Sequence, residues 1–214
     1  MHCRERIPFS TFPGIFSAID SLSKRITAGH FARHGKLPAW FSPFGELGVP
    51  IPVPHWSKFQ ITHPESNIIL TGAPDEITRK ADQTLFIGDY KTARLTDWQD
   101  ELFPLYETQL NVYAYIAVRV GLGMVTSLGL LYYEPIAAIT TADIDTLVDT
   151  EGFRMRFAPK VLPVELKPQI VPPLLFKVRE IYNLPAPPIG IDGCKDCGRL
   201  NRLIELINTE TMKV

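Results

Sequence analysis

Cysteine is scarce in this chain, with three among 214 residues, so no disulfide framework can hold it together. Net charge is also missing. Lysine and arginine number 22 against 23 acidic residues, a formal net charge of −1, so the molecule as a whole exerts no pull on a polyanion and any nucleic-acid surface must be a local patch. No apolar run approaches a membrane-spanning length, and no charged n-region with an apolar h-region opens the chain. The expectation is a soluble, cytoplasmic protein without a membrane partner. A hydrophobic share of 45% and a charged share of 21% exclude the disordered and collagen-like classes. The length suits one α/β domain with appended segments and is a squeeze for two.

Nineteen prolines are present, crowded into 38–54 and 159–188, which read as connectors and surface arms. From Ser17 to Ala28, Ile19, Leu22 and Ile26 recur at helical intervals opposite Asp20, Lys24 and Arg25, predicting a first amphipathic helix with its isoleucines and leucine inward. Pro38 to Pro54 reads as an ordered loop. Three strand signals follow in series: Ser57–His63, Asn67–Gly72 continuing to Arg79, and Thr84–Lys91, joined by polar turns as an antiparallel meander. Pro104 suits the first turn of a helix running to about Val120, and Val125–Tyr133 reads as an interior strand. Thr141–Thr150 could begin a helix, Phe153–Leu166 alternates like a strand broken by Pro159 and Pro163, and Leu174–Tyr182 and Leu200–Ile207 read as short helices.

Chemistry concentrates in three motifs: Gly72-Ala-Pro-Asp75, Leu85-Phe-Ile-Gly-Asp89-Tyr-Lys91, and Gln109-Leu-Asn-Val-Tyr113. Strand alternation sends Asp89 and Lys91 the same way. Asp75 ends a matching apolar run, so the meander brings two carboxylates to one end of the sheet, an anionic oxygen site that suits Mg²⁺ or Mn²⁺. Taken singly, an Asp-x-Lys pair is more often a solvated edge, and a salt bridge from either acid to Lys91 would satisfy the same residues. Gln109 and Tyr113, four apart, share one helix face; singly they would read as a surface glutamine and a core tyrosine, but beside the acids they can hold a phosphate, a base edge or Lys91. Lys58, Arg79, Lys80 and Arg94 surround the motifs in sequence and could form the local basic patch. His55, His63 and Trp56 carry no assignment.

Gly72-x-x-Asp75, Asp89-Tyr-Lys91-Thr92 and Gln109-x-x-x-Tyr113 together resemble the PD-(D/E)xK nuclease superfamily, and within it the RecB-like branch that includes Cas4 and AddB-type nuclease domains. The resemblance spans residues 57–134. It implies a restriction-endonuclease-like α/β fold, an α-β-β-β-α-β core with a mixed central sheet flanked by helices, followed by a Pro-rich extension. The chain then reads as a single domain over 1–214, its core about 14–134 and its extension about 135–214. The resemblance further implies that Asp75 and Asp89 bind Mg²⁺ or Mn²⁺ with the main-chain carbonyl of Tyr90, that Lys91 orients the attacking water, and that Gln109 and Tyr113 complete the catalytic group. Where many relatives supply a histidine or glutamate from the first helix, this chain offers Asp20 or His30. Several relatives hold an iron–sulfur cluster with one upstream cysteine and three near the C-terminus; here Cys3, Cys194 and Cys197 lack a fourth, so a Cys₄ cluster cannot be built from one chain. A Cys₃His zinc site using His2 or another histidine, and an incomplete vestigial iron–sulfur site, are the two remaining readings. The expected function is a metal-dependent DNA nuclease using a metal-activated water, with proteins of repair or defence as further partners. Its rivals are a catalytically inactive nucleic-acid-binding module of the same fold and a metal-cluster module within a repair or defence complex.

Overall fold

A computed structural model describes residues 14–95, 102–136, 138, 140–186 and 188–211. The chain forms two compact units, one ending at Leu175 and the other running from Phe176 toward the C-terminus. In order, the elements are α1 (Gly14–His34), a 3-10 turn (Ala39–Phe44), β1 (Val49–Pro50), β2 (Gln60–His63), β3 (Ile68–Thr71), β4 (Glu76–Arg79), β5 (Leu85–Lys91), α2 (Phe103–Arg119), β6 (Val125–Pro135), α3 (Thr141–Leu147), β7 (Val148–Asp149), β8 (Gly152–Phe153) and β9 (Phe157–Val164). A second 3-10 turn (Pro168–Ile170), α4 (Val171–Tyr182) and α5 (Lys195–Thr211) complete them. Among the described residues no helix is long and apolar enough to cross a membrane.

The centre is a five-stranded sheet in the order β1-β4-β5-β6-β9. β5 and β6 run parallel, joined through α2, and the other neighbours run antiparallel, so the sheet is mixed and flanked by helices. β5 explains its own composition. Leu85 and Ile87 join the core under α2 with Ile77, Leu110, Ile116, Leu128 and Leu130, whereas Phe86 and Tyr90 join a second core on the opposite face with Phe41, Phe44, Leu131 and Tyr133. A strand covered on both sides reads as an unbroken apolar run rather than an alternation. By the same alternation Asp89 and Lys91 continue the α2 side of β5.

α2 is apolar nearly all round because it too is covered twice. Leu110, Tyr113, Ala114 and Ile116 meet the sheet; Tyr115, on the outer side, packs with Val171 and Leu175, and Ile61, Ile68 and Leu70 of the β2–β3 hairpin close over them. Asn111, fully buried in the same helix, is satisfied at both ends: its amide donates to the carbonyls of Glu107 and Glu165, and its oxygen accepts the Lys167 N–H.

Several elements depart from the sequence reading. The three strands are not one meander: β2 and β3 form a separate two-stranded hairpin, and only β4 and β5 enter the central sheet. The expected strand from Asn67 to Arg79 breaks at Gly72-Ala-Pro-Asp75, because Pro74 has no N–H for a ladder and Gly72 turns toward α2. The 38–54 segment, expected as a loop, contributes edge strand β1 and a 3-10 turn whose Phe44 ring lies 2.4 Å from where a side chain on Gly129 would begin, so β6 needs glycine there. β9 supplies the fifth strand from beyond the expected core limit near 134; as an edge strand it tolerates Pro159 and Pro163 at alternate positions, where their missing N–H groups cost no ladder bond. The apolar face expected inward on α1 is only half-buried at Ile19 and turns outward beyond it. Leu22 and Ile26 are exposed, and the sheltered stripe runs through Asp20, Ser23, Lys24 and the buried Thr27, since α1 faces the charged end of the sheet.

Replacing Asn111 by alanine should strip partners from the Glu165 carbonyl and the Lys167 N–H together, costing about 2 kcal/mol and lowering the midpoint of thermal unfolding by roughly 4–8 °C. Differential scanning calorimetry checks this.

Candidate active site

Antiparallel pairing places the start of β4 beside the end of β5, since Glu76 faces Gly88 in the register. Asp75 immediately precedes β4, and its main chain and side chain both engage β5 around Asp89. Its N–H donates to the Gly88 carbonyl at 3.3 Å, and its Oδ2 accepts the Tyr90 N–H at 2.7 Å. A strand residue sends its N–H and C=O to the same side, so the Tyr90 carbonyl also leaves β5 on the Asp75 side. Asp89 lies between these two contacts and is buried, only 4% exposed.

Lys91, two residues on, returns to Asp89: its Nζ stands 2.5 Å from Asp89 Oδ2. The same ammonium donates to Gln109 Oε1 at 3.1 Å and sits 4.0 Å from the centre of the Tyr106 ring. Gln109 in turn donates from Nε2 to the Tyr113 hydroxyl at 2.7 Å. The Tyr113 ring presses on Gly72, where a Cβ would come within 2.4 Å of Cε1. The chain of contacts thus returns to the loop that carries Asp75. All five sequence-predicted catalytic residues, Asp75, Asp89, Lys91, Gln109 and Tyr113, are brought together.

Three residues at the site escaped the sequence reading. Lys24 of α1 stands 2.6 Å from Asp75 Oδ1 and 2.7 Å from Asp20 Oδ2, so Asp20 reaches the site through a lysine. Burial pulls the Lys24 pKa down, but the bonds to Asp20 and Asp75 outweigh it and the net shift is upward. His30, the other first-helix candidate, is engaged elsewhere: its Nδ1 is hydrogen-bonded to the Lys36 carbonyl, and its ring lies 4.6 Å from that of His34. Glu76 accepts from the Tyr90 hydroxyl at 2.9 Å on the sheet face opposite α2, and Tyr106 forms the wall under Lys91. The i, i+4 spacing of Asp20 and Lys24 was visible, but nothing in a linear pattern aims that pair at Asp75.

Electrostatics follow from burial. Desolvation first, then the neighbouring Asp75, pushes the Asp89 pKa up to about 6, with Lys91 opposing. Desolvation raises Glu76 further, to about 7, against the Tyr90 hydrogen bond. Two carboxylates, each paired with one lysine, and a main-chain carbonyl on the same side form an all-oxygen donor set that fits a hard divalent cation. Among the described residues no group of three or more His, Cys, Asp and Glu could hold a metal, so this set consists of two acids and main chain.

A model of the PD-(D/E)XK nuclease superfamily matches residues 18–201, from α1 into α5. The chain belongs to this superfamily. It is therefore a nuclease by family, with a restriction-endonuclease-like mixed α/β fold and a nucleic acid as its substrate class, in a superfamily whose members typically use divalent metals. A comparison with curated proteins finds none that matches it. Of the four basic residues that could form a patch, two lie away from the acids. Arg79 faces Leu85 in the register and Lys80 donates to Thr126, at the end of the sheet away from Asp89 by about 13 Å, because β4 runs away from the acids. Lys58, exposed beside Phe59 whose carbonyl accepts the Gly72 N–H, and Arg94, exposed just after β5, remain near the acidic end.

Of the three cysteines expected to converge, Cys3 lies outside the described residues. Cys194 and Cys197 are free thiols of the second unit; the Cys197 N–H reaches Cys194 Sγ at 3.4 Å, and N–H bonds lower the Cys194 pKa. Cys197 sits within the first turn of α5, which begins earlier than the expected Leu200.

Gly72→Ala should drive a methyl into the Tyr113 ring, destabilise the fold by about 1–3 kcal/mol and loosen the Gln109 clamp on Lys91; denaturant unfolding gives the cost. Glu76 and Asp89 supply a pH signature. A carboxyl whose folded pKa exceeds its unfolded value binds extra protons in the native state, so metal-free protein should lose stability as pH rises from about 4.5 to about 7. Glu76→Gln, whose amide oxygen still accepts from Tyr90, should flatten that decline and exceed the wild type most at pH 8, measured by thermal melts in EDTA.

Proposed function

We propose that the chain is a Mg²⁺- or Mn²⁺-dependent deoxyribonuclease of the RecB-like branch that cleaves a phosphodiester by attack of water. The observation that supports it most is the meeting of Asp75 and Asp89 beside a lysine that Gln109 holds by its side chain. Asp75, Asp89 and the Tyr90 carbonyl would hold the cation. When bound, that cation lowers the pKa of a water and neutralises charge developing on the phosphate. A pKa of about 6 leaves Asp89 mostly ionised at neutral pH, as a ligand must be.

Lys91 donates a hydrogen bond, either to the attacking water or to a phosphate oxygen. Its aim is fixed from three sides, by Asp89, by Gln109 and by the Tyr106 ring, and preorganised donors of this kind stabilise a transition state without reorganising. Tyr113 orients Gln109 and is itself held against Gly72. The motif set of Gly72-x-x-Asp75, Asp89-x-Lys91 and Gln109-x-x-x-Tyr113 supports DNA as the polymer, and Lys58 and Arg94 offer contacts for its phosphates.

Asp89→Asn should reduce cleavage of plasmid and single-stranded DNA by at least about a hundredfold while preserving the fold, because it removes a charged ligand and keeps the shape. Lys91→Ala should cost a similar factor yet still bind Mn²⁺. Gel assays with Mg²⁺, Mn²⁺ or EDTA, with an RNA substrate alongside, test both. Wild-type protein that binds DNA but cuts nothing under any of these conditions would be a binding module instead.

A further inference from the structure

Lys24 is the first-helix residue that reaches Asp75, and its chemistry is the opposite of a metal ligand's. The Tyr90 N–H occupies Asp75 Oδ2, so Oδ1 is the oxygen the main chain leaves for a cation, and Lys24 Nζ holds it at 2.6 Å. We propose that Lys24 is a resident counter-ion of Asp75 that a divalent metal must displace, so that the Asp20–Lys24 pair sets the metal affinity of the site. This assignment rests on the metal-dependent reading above.

Three features support displacement rather than permanent pairing. Asp20, one turn before Lys24 on α1, already accepts from the same ammonium at 2.7 Å, so a displaced Lys24 keeps a partner. The Lys24 side chain is 36% exposed, which leaves room for its long stem to swing about that anchor. Lys91 differs: the side-chain oxygen Oε1 of Gln109 and the face of Tyr106 hold it in addition to Asp89, so its position does not depend on the acid alone. An ammonium within about 4 Å of a divalent ion repels it enough, even in a watery dielectric, to weaken binding by roughly tenfold or more. In the metal-free protein the same ammonium neutralises Asp75 and keeps it aligned on Tyr90.

Isothermal titration of the full chain with Mn²⁺ tests the assignment, using wild type, Lys24→Met, Lys24→Arg and Asp75→Asn. Lys24→Met, which keeps the stem and removes the charge, should bind Mn²⁺ about tenfold more tightly, Lys24→Arg no more tightly than wild type, and Asp75→Asn should lose the site. Amine labelling read by mass spectrometry should show Lys24 of the wild type becoming more reactive when Mn²⁺ saturates the site. Wild-type or weaker affinity in a folded Lys24→Met, with Asp75-dependent binding intact, overturns the counter-ion role and leaves the metal site standing. If Lys24→Met does not fold, unchanged Lys24 labelling in wild type upon Mn²⁺ binding overturns it equally. Mn²⁺ binding that is absent from wild type, or indifferent to Asp75→Asn, removes the metal reading itself.

Discussion

A buried carboxylate at the end of an interior strand is the constraint around which this molecule is arranged. Asp89 lies where β5 has just completed a run of residues covered on both faces, and Asp75 approaches it from the next strand. Burying one acid near another is costly unless positive charge or donors compensate. Three neighbours of the pair supply some: Lys91 at Asp89, Lys24 at Asp75, and the Tyr90 N–H on the remaining Asp75 oxygen. The upward displacement of the Asp89 pKa shows that compensation is incomplete.

Rigidity around the acids comes from packing rather than from the polar contacts alone. β4 and β5 are locked by register, and α2 is pinned between the sheet and a second apolar layer that includes Tyr115, Val171 and Leu175. Gln109 and Tyr113 inherit that fixed position, so Lys91 is aimed by a helix that cannot shift without opening two cores. The contact of Tyr113 with Gly72 couples this helix to the Asp75 loop, and only a residue without Cβ allows it. The glycine of the Gly-x-x-Asp motif is therefore a steric requirement of the tyrosine in the Gln-x-x-x-Tyr motif, which joins two motifs 37 residues apart into one device.

Membership of the nuclease superfamily and the geometry agree on the class of chemistry, and the geometry adds what distinguishes this chain. Its first helix presents to Asp75 a lysine that an aspartate of the same helix also holds.

Much of the central fold was legible in the chain, because its signals are local. The unbroken apolar run of Leu85–Gly88 marks a strand covered twice, and the spacing of Asp89 and Lys91, or of Gln109 and Tyr113, sends each pair the same way by strand or helix period alone. Together with Asp75 and the resemblance to the nuclease superfamily, those pairs nominated five side chains that the fold does gather. Periodicity could not tell which face of α1 turns inward, since Leu22 and Ile26 look like core and the helix instead presents Asp20, Lys24 and Thr27 to a charged sheet end. Nor could it show that β2 and β3 leave the sheet, or that β1 and β9 join it, because edge pairing depends on which strand is left uncovered. Sequence by itself determined the chemical groups and the directions they take along each element. Tertiary structure alone decided the charge balance among them, because the Lys24–Asp75 contact joins residues 51 positions apart and exists only when α1 lies against the sheet.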